Sequence, residues 1–306
     1  MKNKQVTVTK SMKIKTTGFD LGFDIVVNIL AVIIILIVMY PLVYVVSASF
    51  SNPLSIMRGD VWVLPKQFTL EAYRSVFNNA KILTGYKNTV IITGTATLIN
   101  LVMTTICAYP LSRRDFWGKN FLTIFVTITM FFSAGMIPNY LLIRNLGLLD
   151  SRWSLMLPGM ISVYNMLIMR NYFQNSIPDE IVEAATIDGC SNVQTLIKVV
   201  LPLSKSILAV LVIFYAVSHW NSYFDAMIYL SSEDKYPLQL VLRQFLLEST
   251  QIQDDLGLNQ TLAESSLAYV SLQYAIIVVS SLPLLIVYPF MQKYFTKGIM
   301  VGAVKG

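Results

Sequence analysis

Two short polar stretches stand out in an otherwise apolar chain, and they carry most of its candidate chemistry. Residues 183–189 read Glu-Ala-Ala-Thr-Ile-Asp-Gly, which places two carboxylates beside small residues. Residues 219–225 hold the single histidine, three aromatic residues, an asparagine and an aspartate. A carboxylate among small residues suits close docking to a basic partner, whereas hydrogen-bonding groups beside aromatic rings suit a sugar. One histidine is too few for a metal centre or a membrane-embedded enzyme.

The composition indicates a polytopic helical membrane protein. Of 306 residues, 55% are hydrophobic and 13% are charged, and the mean hydropathy is +0.61. Apolar runs of about twenty residues recur, a length that crosses a bilayer as helix. The net charge of +6 is not gathered into a phosphate-binding patch, so we predict no nucleic-acid partner. Cys107 and Cys190 form no CxxC or metal pattern.

We predict an all-α membrane protein with six transmembrane helices. The first apolar run is followed by Ser-Ala-Ser, which resembles a cleavage site, but the run is too long for a signal peptide. The predicted spans are 25–50, 88–112, 120–143, 153–173, 203–230 and 267–292. The predicted organisation is a basic N-terminal tail at 1–24, a transmembrane domain at 25–294 with a loop at 176–202, and a C-terminal tail at 295–306.

The distribution of basic residues predicts the orientation. If both termini are cytoplasmic, the inner segments hold fourteen Lys and Arg residues and the outer loops hold nine. Because cytoplasmic loops are enriched in these residues, we predict an N-in, C-in topology. Residues 176–202 then form the one substantial loop on the cytoplasmic side, and we call them the coupling loop.

The coupling loop is predicted to form two short helices with a tight corner between them. Ser176 is a candidate N-cap for the first helix, and Gly189 supplies the left-handed residue that ends it. Ser191 and Gln194 have the spacing of a capping box for the second helix. The second helix has an apolar stripe consisting of Val193, Leu196, Ile197 and Val200.

Two environments would suit such a helix pair. Periodicity alone favours an amphipathic pair lying on the membrane surface. Ala184, Ala185 and Gly189 favour a docking surface instead, because small residues permit close approach of two backbones.

The coupling loop resembles the EAA signature of the membrane subunits of binding-protein-dependent ABC importers. The matching residues are Glu183, Ala184, Ala185, Gly189, Leu201 and Pro202. Val199 stands where the family has isoleucine, which is a conservative departure. Residues 68–77, 220–230 and 236–244 are similar to other segments of sugar importers, and 297–306 resembles the tail of the MalG-type maltose permease. The chain as a whole is similar to the LplC/YtcP-like subgroup, which is linked to complex oligosaccharides.

This resemblance implies a permease subunit of type I importer fold in a bacterial plasma membrane, which moves an oligosaccharide such as one derived from a polysaccharide. Its coupling helix docks on an ATPase, where Glu183 faces a basic residue and Asp188 lies at the corner. The tail residues Gly302, Lys305 and Gly306 reach the ATPase interface. Further implied partners are two cytoplasmic ATPase subunits, a second MalF-like permease subunit forming a heterodimer, an extracellular solute-binding protein and membrane lipid.

The resemblance assigns ATP and Mg²⁺ to the ATPase subunits. This chain has no GxxxxGK[ST] phosphate loop, since the Lys87 segment lacks the spacing. We therefore predict no cofactor, no metal and no catalytic residue in this chain, which is not expected to be an enzyme.

Trp220, Asn221, Tyr223 and Asp225 are the candidates for the substrate path. Polar groups in a membrane helix usually face the bundle interior or water. Asn221 and Asp225 are four residues apart and share a face if the helix is continuous. Trp220 and Tyr223 suit stacking on sugar rings, or alternatively an interfacial belt. His219 and Asp225 could instead be paired with each other.

An ion-coupled secondary transporter of a small polar solute is the alternative function. Such a transporter needs inverted repeats and ion-coordinating groups near the middle of the membrane. The chain has almost no acidic residues within its predicted spans and no convincing repeat.

Overall fold

A computed structural model describes residues 18–256 and 263–303, and every regular element in these ranges is helical. The helices are α1 (Gly18–Ser49), α2 (Pro53–Met57), α3 (Glu71–Asn78), α4 (Ala80–Ser112), α5 (Lys119–Phe131), α6 (Met136–Asn145), α7 (Trp153–Met156), α8 (Val163–Ser176), α9 (Asp179–Ile187), α10 (Asn192–Thr195), α11 (Leu201–Leu203), α12 (Lys205–Trp220), α13 (Phe224–Tyr229), α14 (Leu238–Leu256) and α15 (Ala263–Ala303). A π-helical segment, Leu196–Val200, joins α10 to α11. The predicted all-α class is confirmed.

Three helices within the described ranges are long and apolar enough to cross a bilayer, namely α1, α4 and α15. Two pairs of consecutive helices, each bent at a short break, are long enough to cross a bilayer only if each pair forms one span. The α5–α6 pair bends by 111°, and the segment Asn192–Leu203 meets α12 at 84°. Several apolar helices thus support the membrane class, while the six-span count and the orientation stay predictions.

The predicted third, fourth and fifth spans are interrupted, which corrects the expectation of continuous helices. Gly135, with φ +88°, separates α5 from α6, and Gly159, with φ +73°, lies between α7 and α8. Residues 221–223 separate α12 from α13. Glycine adopts positive φ without strain, so Gly135 and Gly159 allow the chain to change direction where hydropathy alone predicts a continuous helix.

Several helices begin earlier or end later than hydropathy predicts. The first starts at Gly18, α4 starts at Ala80, and α15 continues to Ala303. Asn79 sets the start of α4, because its side chain accepts hydrogen bonds from the first turn of that helix. Part of each predicted tail is therefore helical.

The helices pack around α4, which contacts α8, α12 and α14. One buried cluster on the coupling-loop side includes Met166 of α8, Val182 of α9 and Leu211 of α12. A second cluster joins α3 and α4 to α14 and α15, and includes Val76 and Leu238. This packing fixes the coupling loop against the ends of α4 and α8.

The first helix stands largely apart from this core. Its side chains from residue 19 to residue 42 are exposed. Only its C-terminal end packs, where Ala48 lies in a cluster with Ile56 and Val270. An apolar surface of this length requires lipid or another membrane chain to cover it.

Candidate functional site

The corner of the coupling loop is built on Gly189. Its φ is +81°, so the predicted left-handed residue at the end of α9 is confirmed. The Gly189 amide donates to the Thr186 carbonyl at 3.0 Å, and the Cys190 amide donates to the Ala185 carbonyl at 2.9 Å. These bonds satisfy carbonyls at the end of the helix and fix the direction in which the chain leaves it.

The predicted capping box at the start of α10 is also confirmed. The Ser191 amide donates to Gln194 Oε1 at 2.9 Å, and the Gln194 amide donates to Ser191 Oγ at 3.4 Å. The helix then widens into the π-helical segment before Leu201 and Pro202. The coupling loop is therefore a helix, a corner and a second helix that turns sharply into α12.

The predicted N-cap of the first coupling helix is wrong. Ser176 is the last residue of α8, and α9 begins at Asp179 after Pro178. Ile177 is extended, with φ −109° and ψ 111°. A residue before proline is disfavoured in helical conformation, so Pro178 ends α8 and forces the chain to restart.

The signature residues of α9 divide between two faces. Ala185 is buried together with Val182, whereas Glu183, Ala184 and Asp188 are exposed. Ile187 is 86% exposed and lies at the same tip. The tip therefore presents a carboxylate, a small residue and an apolar side chain to the outside.

The apolar stripe of the second coupling helix is split by the π-helical segment. Val200 is buried and Leu196 is half-buried, as the stripe requires. Val193 and Ile197 are 65% and 58% exposed. Because a π-helical turn rotates the following residues, the stripe no longer lies on one face. Leu201 is half-buried and Pro202 is exposed.

Basic residues tie the coupling loop to the neighbouring helices. Arg114, in the segment between α4 and α5, forms a 2.9 Å ion pair with Asp179 in the first turn of α9. Arg170 of α8 donates from Nε to the Leu111 carbonyl at 2.9 Å. Arg114 thus links the first turn of α9 to the segment after α4, and Arg170 links α8 to the end of α4.

In the second polar stretch, Trp220 is a packing residue in this chain. It is 6% exposed, and its Nε1 donates to the Ser280 carbonyl of α15 at 3.0 Å. Its ring packs edge-on against Tyr86 of α4 at 5.7 Å. The ring therefore presents little surface for a sugar to stack on.

Asn221 and Asp225 do not share a helix face, which corrects the argument from their spacing. Asn221 follows the last residue of α12, and its amide nitrogen donates to the Val217 carbonyl at 2.9 Å. Asp225 lies in the first turn of α13. The i, i+4 argument holds only in one continuous helix, and the break between the two residues removes it. Both side chains are exposed.

Tyr223 lies in the same break and is 41% exposed. The Arg243 guanidinium carbon is 5.6 Å from the centroid of its ring, which is a cation–π distance. Sequence reasoning missed Arg243, although it belongs to one of the segments that resemble sugar importers.

His219 is paired with Asn100 and not with Asp225. Its Nε2 lies 2.7 Å from Asn100 Oδ1. The Asn100 amide nitrogen donates to the carbonyls of Gly159 and Met160 at 3.1 and 2.9 Å. One buried side chain of α4 therefore joins α12 to the break between α7 and α8.

A comparable set of polar contacts lies closer to the N-terminal end of α4. The Asn88 amide nitrogen donates to the carbonyls of Asp234 and Tyr236 at 2.8 and 3.0 Å. The Leu238 amide donates to Thr89 Oγ1 at 2.8 Å. These bonds hold the start of α14 against α4.

Asp150 is the centre of a polar network that includes residues of the segment before α14. Its carboxylate accepts from Lys235 Nζ at 2.6 Å and from the Ser232 amide at 2.9 Å. These hydrogen bonds hold the pKa of Asp150 well below its usual range. The network fixes the α6–α7 connection to the segment before α14.

Only part of the C-terminal tail that is predicted to contact the ATPase belongs to the described residues. Gly302 is part of α15, while Lys305 and Gly306 lie outside the described residues. Among the residues that the structure describes, no group of three or more His, Cys, Asp or Glu side chains is arranged to hold a metal ion.

Comparison with known proteins identifies similar chains. Residues 100–301 match the family described as binding-protein-dependent transport system inner membrane component. The polygalacturonan/rhamnogalacturonan transport system permease protein YtcP of Bacillus subtilis is 40% identical over 266 residues, which are 87% of this chain and 92% of that protein. Protein LplC of the same organism is 40% identical over 268 residues, which are 87% of this chain and 89% of LplC.

A solved structure is also similar. It is the crystal structure of a bacterial ABC transporter involved in the import of the acidic polysaccharide alginate. The match has a TM-score of 0.83 and 36% identity, and it covers 92% of this chain and all of the other. The fold of the present chain is therefore shared with a transporter subunit.

Proposed function

The chain belongs to the family of binding-protein-dependent transport system inner membrane components, and we propose that it is the permease subunit of an ATP-driven oligosaccharide importer. The observation that carries the proposal is the exposed tip of α9. Glu183, Ala184 and Ile187 point away from a coupling loop that is otherwise anchored to the helix bundle. This combination of a fixed base and an open tip suits docking on another subunit.

In this proposal the coupling loop transmits force from a cytoplasmic ATPase. Glu183 faces a basic ATPase residue, Ala184 permits close approach, and Ile187 fills an apolar recess. Asp188 and Gly189 set the angle of the second coupling helix. ATP and Mg²⁺ bind to the two ATPase subunits, and this chain holds no cofactor. Its conformation changes because the ATPase binds the two states with different affinities.

A second permease subunit, similar to MalF, is proposed as the membrane partner. The exposed apolar side chains of α1 support this proposal, since the rest of the described chain leaves them uncovered. We further propose six spans with both termini in the cytoplasm, which follows from the excess of basic residues on that side. The tail residues Gly302, Lys305 and Gly306 then lie on the side of the ATPase.

The docking proposal is tested with the complete transporter, purified through a tag on this chain. Glu183→Lys should lower the amount of co-purified ATPase by about tenfold, since one buried charge contact of this kind is worth about 1.4 kcal/mol or more. Glu71→Lys makes the same charge change on an exposed residue of α3 and serves as the control. Equal ATPase recovery from the two variants would refute the assignment of Glu183.

For the substrate we propose an oligosaccharide that carries carboxylates, delivered by an extracellular binding protein. Support comes from the similar proteins, whose names refer to polygalacturonan and to the acidic polysaccharide alginate. Support also comes from Arg243, a cation held over the exposed ring of Tyr223. Arginine binds carboxylates in a two-point geometry, and an aromatic ring suits stacking on a sugar. Asn221 and Asp225 are close to Tyr223 in sequence and supply acceptors for sugar hydroxyl groups, although the Asp225 carboxylate would repel the carboxylates of the substrate.

Uptake by cells that depend on this transporter tests the substrate. Arg243→Gln should reduce uptake of galacturonate oligomers by about tenfold or more, with little effect on neutral galactose oligomers. Arg243→Lys should restore part of the uptake because the charge is kept. Equal loss of acidic and neutral substrates in Arg243→Gln would show that the residue has no role in recognising carboxylates.

A further inference from the structure

Two cavities of opposite character meet beside the coupling loop. One is a polar cavity of about 250 Å³ between the end of α4, the start of α5 and α9, and we call it the basic cavity. The other is an apolar cavity of about 1210 Å³ between α4 and the second coupling helix, and we call it the apolar groove. Tyr109 and Arg113 line both cavities, so the two are adjacent.

The basic cavity carries an excess of positive charge. Arg113, Arg114 and Lys119 line it, and Asp179 is the one carboxylate among its lining residues. Asp179 is engaged by Arg114 at 2.9 Å. Arg113 contacts Asp115 at 3.1 Å, a carboxylate that is itself largely exposed. Lys119 has no carboxylate partner among the lining residues, and its Nζ lies 3.5 Å from the Arg114 carbonyl oxygen. Positive charge is therefore in excess in the basic cavity, which suits an anion.

Tyr109 supplies a second sign of an incomplete site. The residue is 7% exposed, and its hydroxyl has no hydrogen-bond partner within the described part of the chain. A buried hydroxyl without a partner is unfavourable, so such groups usually have one. An acceptor oxygen held at the boundary of the two cavities would provide that partner after a small movement of the ring.

The apolar groove is lined on both sides by exposed apolar side chains. On the α4 side it is lined by Val102 and Ile106, which are 49% and 53% exposed, and on the coupling-loop side by Val193 and Ile197. Trp117, which is 94% exposed, lies at its edge. Tryptophan is enriched at membrane–water boundaries, which places the basic cavity at the level of lipid headgroups.

We propose that the basic cavity and the apolar groove together bind an anionic phospholipid of the leaflet on the coupling-loop side. The phosphate lies near Arg113 and Lys119, and the acyl chains lie along α4 in the groove. Charge favours a lipid, because an apolar helix of another subunit would fill the groove without supplying an anion to balance the excess positive charge of the basic cavity. Anionic lipids are attracted to basic residues beside a membrane helix.

The proposed site has a consequence for coupling. The groove is walled by Asn192, Val193 and Ile197 of the second coupling helix, and the basic cavity is walled by Asp179 and Val182 of α9. A lipid bound here touches both halves of the coupling loop and restrains their relative movement. The leaflet that the lipid occupies depends on the proposed orientation of the chain in the membrane. The binding of the lipid does not depend on that orientation.

Native mass spectrometry of the complete transporter tests the proposal. The probes are phosphatidylglycerol and phosphatidylcholine, added in equal amounts to the delipidated complex. The wild type should retain more phosphatidylglycerol than phosphatidylcholine. In the double variant Arg113→Gln/Lys119→Gln, the ratio of the two retained lipids should be about tenfold lower. Arg74→Gln changes the charge of an exposed residue of α3 and should leave the preference unchanged. Arg113→Lys/Lys119→Arg keeps both charges and should preserve it.

The groove is tested separately with Ile106→Trp, which fills it without changing the charge. This variant should retain less of both lipids. Equal retention of the two lipids by the wild type, or unchanged preference in the Gln double variant, would overturn the proposal. Full displacement of phosphatidylglycerol by inorganic phosphate would also overturn it, because the site would then recognise a soluble anion. Size-exclusion profiles and ATPase recovery show whether each variant assembles.

Discussion

His219 Nε2 lies 2.7 Å from Asn100 Oδ1, so the single histidine of the chain is bound to the middle of α4. The same asparagine donates to two carbonyls in the break between α7 and α8. Three segments that are distant in sequence thus depend on one buried amide. This arrangement explains how a membrane-embedded helix break is stabilised, since freed carbonyls in lipid must find donors within the protein.

The first prediction concerns that amide. Asn100→Ala removes the donor for Gly159 and Met160 and the partner of His219, so we expect the free energy of unfolding to fall by about 1–3 kcal/mol. Asn145→Ala, at the exposed end of α6, is the matched control and should change little. Thermal unfolding in nanodiscs measures both. If the two variants unfold at the same temperature, the Asn100 contacts do not stabilise the fold.

The second prediction compares two glycines of α4. A Cβ on Gly85 would lie 3.1 Å from Val241 Cγ2 and 3.2 Å from the Leu238 backbone, whereas a Cβ on Gly94 would meet nothing within 4 Å. Gly85→Ala should therefore destabilise the protein by about 1–3 kcal/mol through overpacking. Gly94→Ala should stabilise it by about 0.5–1 kcal/mol, because alanine favours the helix. Opposite shifts in the unfolding temperature are expected, and shifts of the same sign would contradict the close contact with α14.

The third prediction concerns the corner of the coupling loop. Gly189 has φ +81°, where an alanine costs about 1–2 kcal/mol, so Gly189→Ala should disturb the direction of α10. Asparagine tolerates this region, and Gly189→Asn should be milder. Transport-coupled ATPase activity of the complete complex is the measurement. A corner that plays no part in coupling would leave both variants as active as the wild type.

The fourth prediction concerns acidity and the Asp150 network. Hydrogen bonds from Lys235 and Ser232 depress the pKa of Asp150 in the folded state. The stability that this carboxylate contributes is therefore present above its unfolded pKa of about 3.9 and is lost as the pH falls toward the folded value. Asp150→Asn should be less stable than the wild type at neutral pH, and the difference should shrink below about pH 4.

Thermal unfolding between pH 3 and 8 measures this difference. Asp60→Asn replaces another acid, an exposed one in the α2–α3 connection, and controls for the general loss of a negative charge. A difference between wild type and Asp150→Asn that does not vary with pH would mean that the ionised carboxylate contributes nothing.

Local chemistry allowed much of the coupling loop to be predicted from sequence. Gly189 ends a helix because of its own backbone freedom, and the Ser191–Gln194 box involves residues three apart. Ser176 was misassigned because a second signal, Pro178, acts on the same turn and ends α8 there. The proposed docking of the loop on an ATPase rests on the resemblance to the EAA signature, because the local pattern of the loop does not encode a partner.

The second polar stretch, residues 219–225, was harder to predict because its structure depends on contacts with residues that are distant in sequence. Asn221 and Asp225 have helical spacing, yet the helix breaks between them. Trp220 has the ring of a sugar-binding residue, but α15 provides a carbonyl that binds its nitrogen. Likewise, nothing near Asn100 in the sequence indicates that its partners are fifty-nine and more residues away.

The isolation of α1 has a consequence for biogenesis. Its side chains from residue 19 to residue 42 contact almost nothing else in the described chain, so the helix can enter the bilayer before the remaining spans have been synthesised. Only the junction around Ala48 must wait for Val270, which the ribosome adds more than two hundred residues later. The contact between α1 and α15 therefore forms late in synthesis.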